Sequence, residues 1–91
     1  MSVKYTAADE LNRQVKNRYR SFLRMMRKYY HEDDQKRVRK ALRNVMAHRD
    51  ELSDQTGEPY IFHAMNVARI VIEQMGLGVV SAVVAIFHDL A

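Results

Sequence analysis

Three side chains of the 91-residue chain have types and spacing that suit a divalent metal: His63, His88 and Asp89. Imidazole nitrogen together with carboxylate oxygen matches borderline cations such as Mn, Fe or Zn. Three protein ligands leave positions open for water or substrate, and a metal so held acidifies its water and polarises a phosphoryl oxygen. His88 and Asp89 are adjacent, so on a helix their directions differ by about a hundred degrees, and one ion between them can meet both. His63 opens a separate helix, which in an antiparallel arrangement brings a third ligand to the same point. A single His on an apolar helix also serves as a hydrogen-bonded core residue, and spacing by itself leaves both readings open.

Four helices must position these residues. The first is expected over about Ala7–Tyr30, capped by Thr6, with Asp9 and Glu10 in its first turn. Its buried stripe is Leu11, Val15, Tyr19, Phe22, Leu23 and Met26, at three- and four-residue spacing. The second is expected over about Asp34–Leu52, with Asp33 as cap and Val38, Ala41, Leu42, Val45 and Met46 as its apolar face. Ser53 to Tyr60 reads as the loop, because it holds Gly57 and the one proline, Pro59. A third helix follows to about Met75, with Pro59 tolerated at its start and Gly76 and Gly78 as cap and turn. Val79–Ala91 is apolar on nearly every side. Its β-branched residues also suit a buried strand, but its length and interspersed alanines favour a helix, placed centrally and covered all round.

Composition bounds the function. Length allows one small domain or a piece of a larger one. No cysteine is present, which excludes a disulfide scaffold or a Cys-ligated zinc and fits a cytoplasmic protein. No secretory h-region follows Met1, and the apolar run from Leu77 to Leu90 is shorter than the roughly 20 residues a membrane span needs. Charge is uneven. Residues 1–50 hold fourteen Lys/Arg and six Asp/Glu, and residues 51–91 hold one and five. The basic half could face polyanions, although Arg and Lys commonly line a helix's solvated side.

The string Gly57-Glu58-Pro59-Tyr60-Ile61-Phe62-His63, then Val67-Ala68-Arg69-Ile70, then Ala85-Ile86-Phe87-His88-Asp89 resembles the N-terminal HD hydrolase domain of the RelA/SpoT family. The likeness covers about Ala47 to the end. It implies an all-α HD-domain helical bundle, with residues 1–91 as a single incomplete, N-terminal part: basic helices over about 7–52 and motif-bearing helices over about 60–91. It implies a metal-dependent (p)ppGpp 3′-pyrophosphohydrolase of the stringent response. His63, His88 and Asp89 become ligands of Mn²⁺ or another divalent ion. A fourth ligand, an Asp, and the Glu-Asp pair that orients the attacking water are expected beyond Ala91, so no catalytic residue is expected within the chain and the fragment alone is expected to be inactive. Glu58 and Tyr60 are expected to support the loop that presents His63. Asp54, Gln55 and Thr56 stand where the family has Arg-Lys-Ser against the guanine end of the nucleotide. A carboxylate there opposes phosphate and cannot replace a cationic stacking contact. Ala64 replaces the proline that follows the family's first ligand. His48 matches a family Ala-His at Ala47-His48 and is expected to pack locally.

Two further readings follow. One is a catalytically degenerate, regulatory HD domain of a ppGpp synthetase, motivated by Asp54-Gln55. The other is a basic helical module for RNA or an acidic partner, through Arg13, Arg20, Arg24, Arg27, Arg37, Arg39 and Arg43. It ranks third because no groove-reading motif accompanies the charge. The expected partner is (p)ppGpp, with no membrane and no direct nucleic-acid contact. Ribosome contact is expected only through regions outside the chain, and self-association through apolar surface on the last helix.

Overall fold

The structure is a computed structural model that describes residues 6–47 and 59–88. They form α1 (Ala7–Met26), α2 (Glu32–Ala47), α3 (Tyr60–Arg69) and α4 (Val79–Phe87), with a π-helical stretch, Ile70–Gln74, continuing α3. The all-α reading is borne out, and the β-branched stretch after Gly78 is helix.

Thr6 caps α1 as expected. Its Oγ1 accepts from the Asp9 N–H at 3.1 Å, and its own N–H donates to Asp9 Oδ2 at 3.1 Å. This reciprocal pair satisfies two backbone donors that a helix start leaves over. Val15, Phe22, Met25 and Met26 are buried, with Leu11, Tyr19 and Leu23 packed against them. The helix stops at Met26 rather than near Tyr30. Lys28 and Tyr29 donate to the carbonyls of Met25 and Met26 at 3.1 and 3.0 Å, tightening the chain into a turn. Tertiary bonds hold that corner. Tyr30 Oη donates to the Leu77 carbonyl at 2.6 Å, and Gln35 Nε2 donates to the Tyr30 carbonyl at 2.8 Å. Gln35 is buried, so this bond removes the cost of an unpaired amide.

α2 begins at Glu32, two residues before the expected start, and the His31 carbonyl accepts from the Gln35 N–H at 2.9 Å. Glu32, Asp33 and Asp34 all fall in the first turn, where the helix dipole favours negative charge. Asp33 is therefore helical and not the cap. Val38, Ala41, Leu42 and Val45 are buried and Met46 packs beside them, as the periodicity requires. The expected extension to Leu52 lies outside the described residues.

α3 occupies the centre. Six of its ten residues, Tyr60, Ile61, Phe62, Ala64, Met65 and Ala68, are buried, and it packs against α1, α2 and α4. After Arg69 the turn widens: Met75 N–H donates to the Ile70 carbonyl, five residues back, at 2.9 Å. Ile70, Val71 and Ile72 are consecutive β-branched residues, which crowd a regular turn. The wider turn buries Val71 and Ile72 together and leaves Ile70 exposed. Gly76 then reverses the chain at φ +65°, in the region that favours glycine. The end of the helix therefore matches expectation, while the π turn was not anticipated.

The expected central position of the last helix is overturned. α4 packs on α2 and α3 through Ala82 and Ile86, while Val80 and Val84 are 69% and 58% exposed. Hydropathy could not tell these faces apart, because nearly every side of the segment is apolar. The burial of α3 already closes the core that α4 was expected to fill. Among the described residues no helix is long and apolar enough to cross a membrane.

Candidate metal-binding site

His63 lies in the first turn of α3, on a backbone that Pro59 delivers in an extended conformation, φ −56° and ψ 136°. Pro59 has no N–H to satisfy, so it suits a helix boundary. The side chain of His63 is half-buried. The Tyr60 ring tilts against it, with centroids 5.5 Å apart and planes at 53°. His88 is exposed and follows α4 directly, its N–H donating to the Ala85 carbonyl.

Tyr60 joins the two. It is buried, and its Oη donates to the Ile86 carbonyl at 2.9 Å. One side chain thus touches His63 by its ring and the last turn of α4 by its hydroxyl, two residues before His88. Ala64 is fully buried against the same core.

Asp89 lies outside the described residues, as do Asp54, Gln55, Thr56, Glu58 and His48. Among the described residues no three His, Asp or Glu groups are gathered to hold a metal, and the expected trio includes a member beyond that set. Two imidazoles and a carboxylate remain a donor set suited to Mn, Fe or Zn.

The basic residues divide by environment. Arg13 pairs with Glu10 at 2.7 Å and Arg39 with Glu32 at 2.6 Å. The Arg39 hydrogen bond holds the Glu32 carboxyl below its usual range. Arg37 and Lys40 border a shallow apolar hollow with Val79, Val80, Val83 and Val84, where their aliphatic stems can lie along the valines.

A second, polar hollow lies between α1 and α3, lined by Arg18, Ser21, Phe22, Met65, Asn66 and Arg69. Sequence reading missed it. The available signal was a pair of polar residues three apart beside an apolar stripe on each of two helices, Arg18 and Ser21 on one, Asn66 and Arg69 on the other. Such pairs are common on solvated faces, and only packing brings them together.

Comparison with known proteins finds no matching family model, no matching curated protein and no matching solved structure.

Proposed function

We propose that the chain is the N-terminal part of a metal-dependent (p)ppGpp 3′-pyrophosphohydrolase with an HD-domain fold of the RelA/SpoT type, acting in nucleotide metabolism in the cytoplasm. The order and spacing of the Gly57–His63, Val67–Ile70 and Ala85–Asp89 segments carry this reading. The hydrogen bond from Tyr60 to Ile86 supports it, since it ties the start of the His63 helix to the turn that leads into His88 and Asp89.

His63, His88 and Asp89 are the proposed ligands. When bound, Mn²⁺ supplies Lewis acidity at a phosphoryl oxygen and lowers the pKa of coordinated water. The chain's own contribution is placement. Pro59 and Tyr60 set the first turn of α3, and Tyr60 restrains the His63 ring from one side. His63 and His88 would each offer an imidazole nitrogen lone pair to the ion. The bond broken is that between the 3′ oxygen and the phosphorus of its diphosphate. Water adds to that phosphorus, the 3′ oxygen departs with the nucleotide and takes up a proton as water gives one up, and pyrophosphate is released carrying the water oxygen. The resemblance assigns orientation of that water to a Glu-Asp pair beyond Ala91.

The test is Mn²⁺-dependent pyrophosphate release from ppGpp by a protein that carries this continuation, beside His63→Ala and His88→Ala controls. Release that disappears in both controls supports the hydrolase. A folded, Mn²⁺-loaded protein without release rejects it.

Asp54-Gln55-Thr56 favours one alternative, a regulatory HD domain that has lost hydrolysis. Negative charge at a guanine-contact position weakens nucleotide capture, and Asp54→Arg with Gln55→Lys is then expected to restore ppGpp affinity. Unchanged affinity in that double variant removes this alternative's basis.

A further inference from the structure

We infer that the hollow between α1 and α3 is a binding site for a phosphate monoester. It measures about 380 Å³, room for a phosphoryl group and part of the molecule that carries it. Among the described residues its lining combines two guanidiniums, Arg18 and Arg69, with the Ser21 hydroxyl and the Asn66 amide, and no carboxylate.

The donor chemistry selects the ligand. Each guanidinium offers a planar fork of N–H groups that matches two oxygens of an anion. Asn66 adds up to two N–H donors and Ser21 one O–H donor. A carboxylate has two oxygens and a single charge, so it saturates one arginine and leaves the other uncompensated. A phosphate monoester carries close to two negative charges and three free oxygens, which suits both arginines and the neutral donors together.

Arg18 is held for this role. Its guanidinium sits 4.5 Å from the centroid of the Phe62 ring, a contact that restrains its plane. Among the described residues Arg18, Ser21 and Asn66 have no ion-pair or side-chain hydrogen-bond partner. Arg69 meets Glu73 through Nε at 3.7 Å with both side chains well exposed, too long for a hydrogen bond, so an incoming anion displaces little. Phe22 and Met65, both buried, form an apolar floor. That floor is why an organic monoester is expected over inorganic phosphate.

Neither His63 nor His88 lines the hollow. Phosphate capture there and Mn²⁺-dependent hydrolysis therefore fail separately: the first can be lost with turnover intact, and the second with capture intact.

The experiment is an amide and arginine side-chain NMR titration of the full chain with phenyl phosphate, and in a second arm with inorganic phosphate. Saturable shifts at Ser21, Asn66, Arg69 and the Arg18 Nε–H are expected, with phenyl phosphate binding more tightly. Asn66→Asp and Arg69→Gln are each expected to weaken binding about tenfold or more. Both positions are solvent-accessible, so helical circular dichroism should be unchanged. Glu73→Gln is expected to tighten binding. Three results would overturn the proposal. One is the absence of saturable shifts at these four residues. Another is affinity insensitive to both weakening variants. The third is unsaturable shifts spread over the arginines of α1 and α2, which marks diffuse polyanion attraction.

Discussion

The Tyr60 hydroxyl and the Ile86 carbonyl are hydrogen-bonded at 2.9 Å across 26 residues of sequence, inside the core. Tyr60 is 5% exposed and Ile86 fully buried. The bond clamps the first turn of α3 to the last turn of α4, and both candidate histidines lie within three residues of it.

Removing that hydroxyl tests the clamp. Tyr60→Phe keeps the ring against His63 and deletes one buried donor. A loss of about 1–2 kcal/mol is expected in urea unfolding. If the metal reading is right, Mn²⁺ affinity falls too, since the two histidines lose a shared restraint. Unchanged stability would show that the carbonyl finds another donor and that the clamp is dispensable.

The position of α4 predicts a contrast between faces. Met26 and Leu42 have no exposed surface, whereas Val84 is 58% exposed. Met26→Ala or Leu42→Ala should cost about 2–5 kcal/mol, a large part of the roughly 5–15 kcal/mol that stabilises a domain. Val84→Ala should change stability by less than about 0.5 kcal/mol. Equal losses at Val84 and Leu42 in chemical denaturation would mean that the outer face of α4 is covered.

Tyr30 supports a prediction in alkali. Burial, then the nearby Asp34 charge, raises its pKa above the ordinary tyrosine range. A raised acid favours its protonated form in the fold. Its contribution is therefore full below the unfolded-state pKa and is lost as pH rises through the folded value. Ionisation also removes the hydrogen that Tyr30 gives to Leu77. Tyr30→Phe is expected to cost about 0.5–1.5 kcal/mol at neutral pH and to flatten the alkaline loss of stability. Ultraviolet difference titration checks the delayed ionisation, and Asp34→Asn should bring it partway back.

At the other pH extreme, the Thr6 backbone N–H and then its side chain hold the Asp9 carboxyl below its usual range. The depressed value makes this contribution present above the unfolded-state pKa and lost as pH falls through the folded one. Carboxyl NMR titration should show Asp9 returning towards the ordinary range in Thr6→Ala. Thr6→Ala keeps the backbone N–H, so the return is partial, and an unaltered Asp9 titration in that variant would remove the Thr6 hydroxyl as a cause.

Local physics made much of this readable in advance. Thr6 and Asp9 form their cap within four residues, so the start of α1 needed no tertiary information. The stripe Val38, Ala41, Leu42 and Val45 was equally legible, because helical period and apolarity agree there. Where the chain's own pattern is ambiguous, the reading failed. Val79–Phe87 is apolar on almost all sides, and the choice of Ala82 and Ile86 as its buried face belongs to the neighbours it meets. The π turn at Ile70–Gln74 also escaped, since β-branched crowding disfavours a regular turn without saying which wider one replaces it.

By itself, then, the sequence determined four helices, most of their apolar faces and the spacing of His63 from His88 and Asp89, all of which follow from interactions a few residues long. Tertiary structure alone decided that α3 and not α4 lies at the centre, that Tyr30 bonds to Leu77 just past the end of α1, and that Tyr60 reaches Ile86. It also decided that Arg18 and Ser21 face Asn66 and Arg69. Each of these joins groups distant in the chain, and the energy that chooses them comes from burying several helices at once.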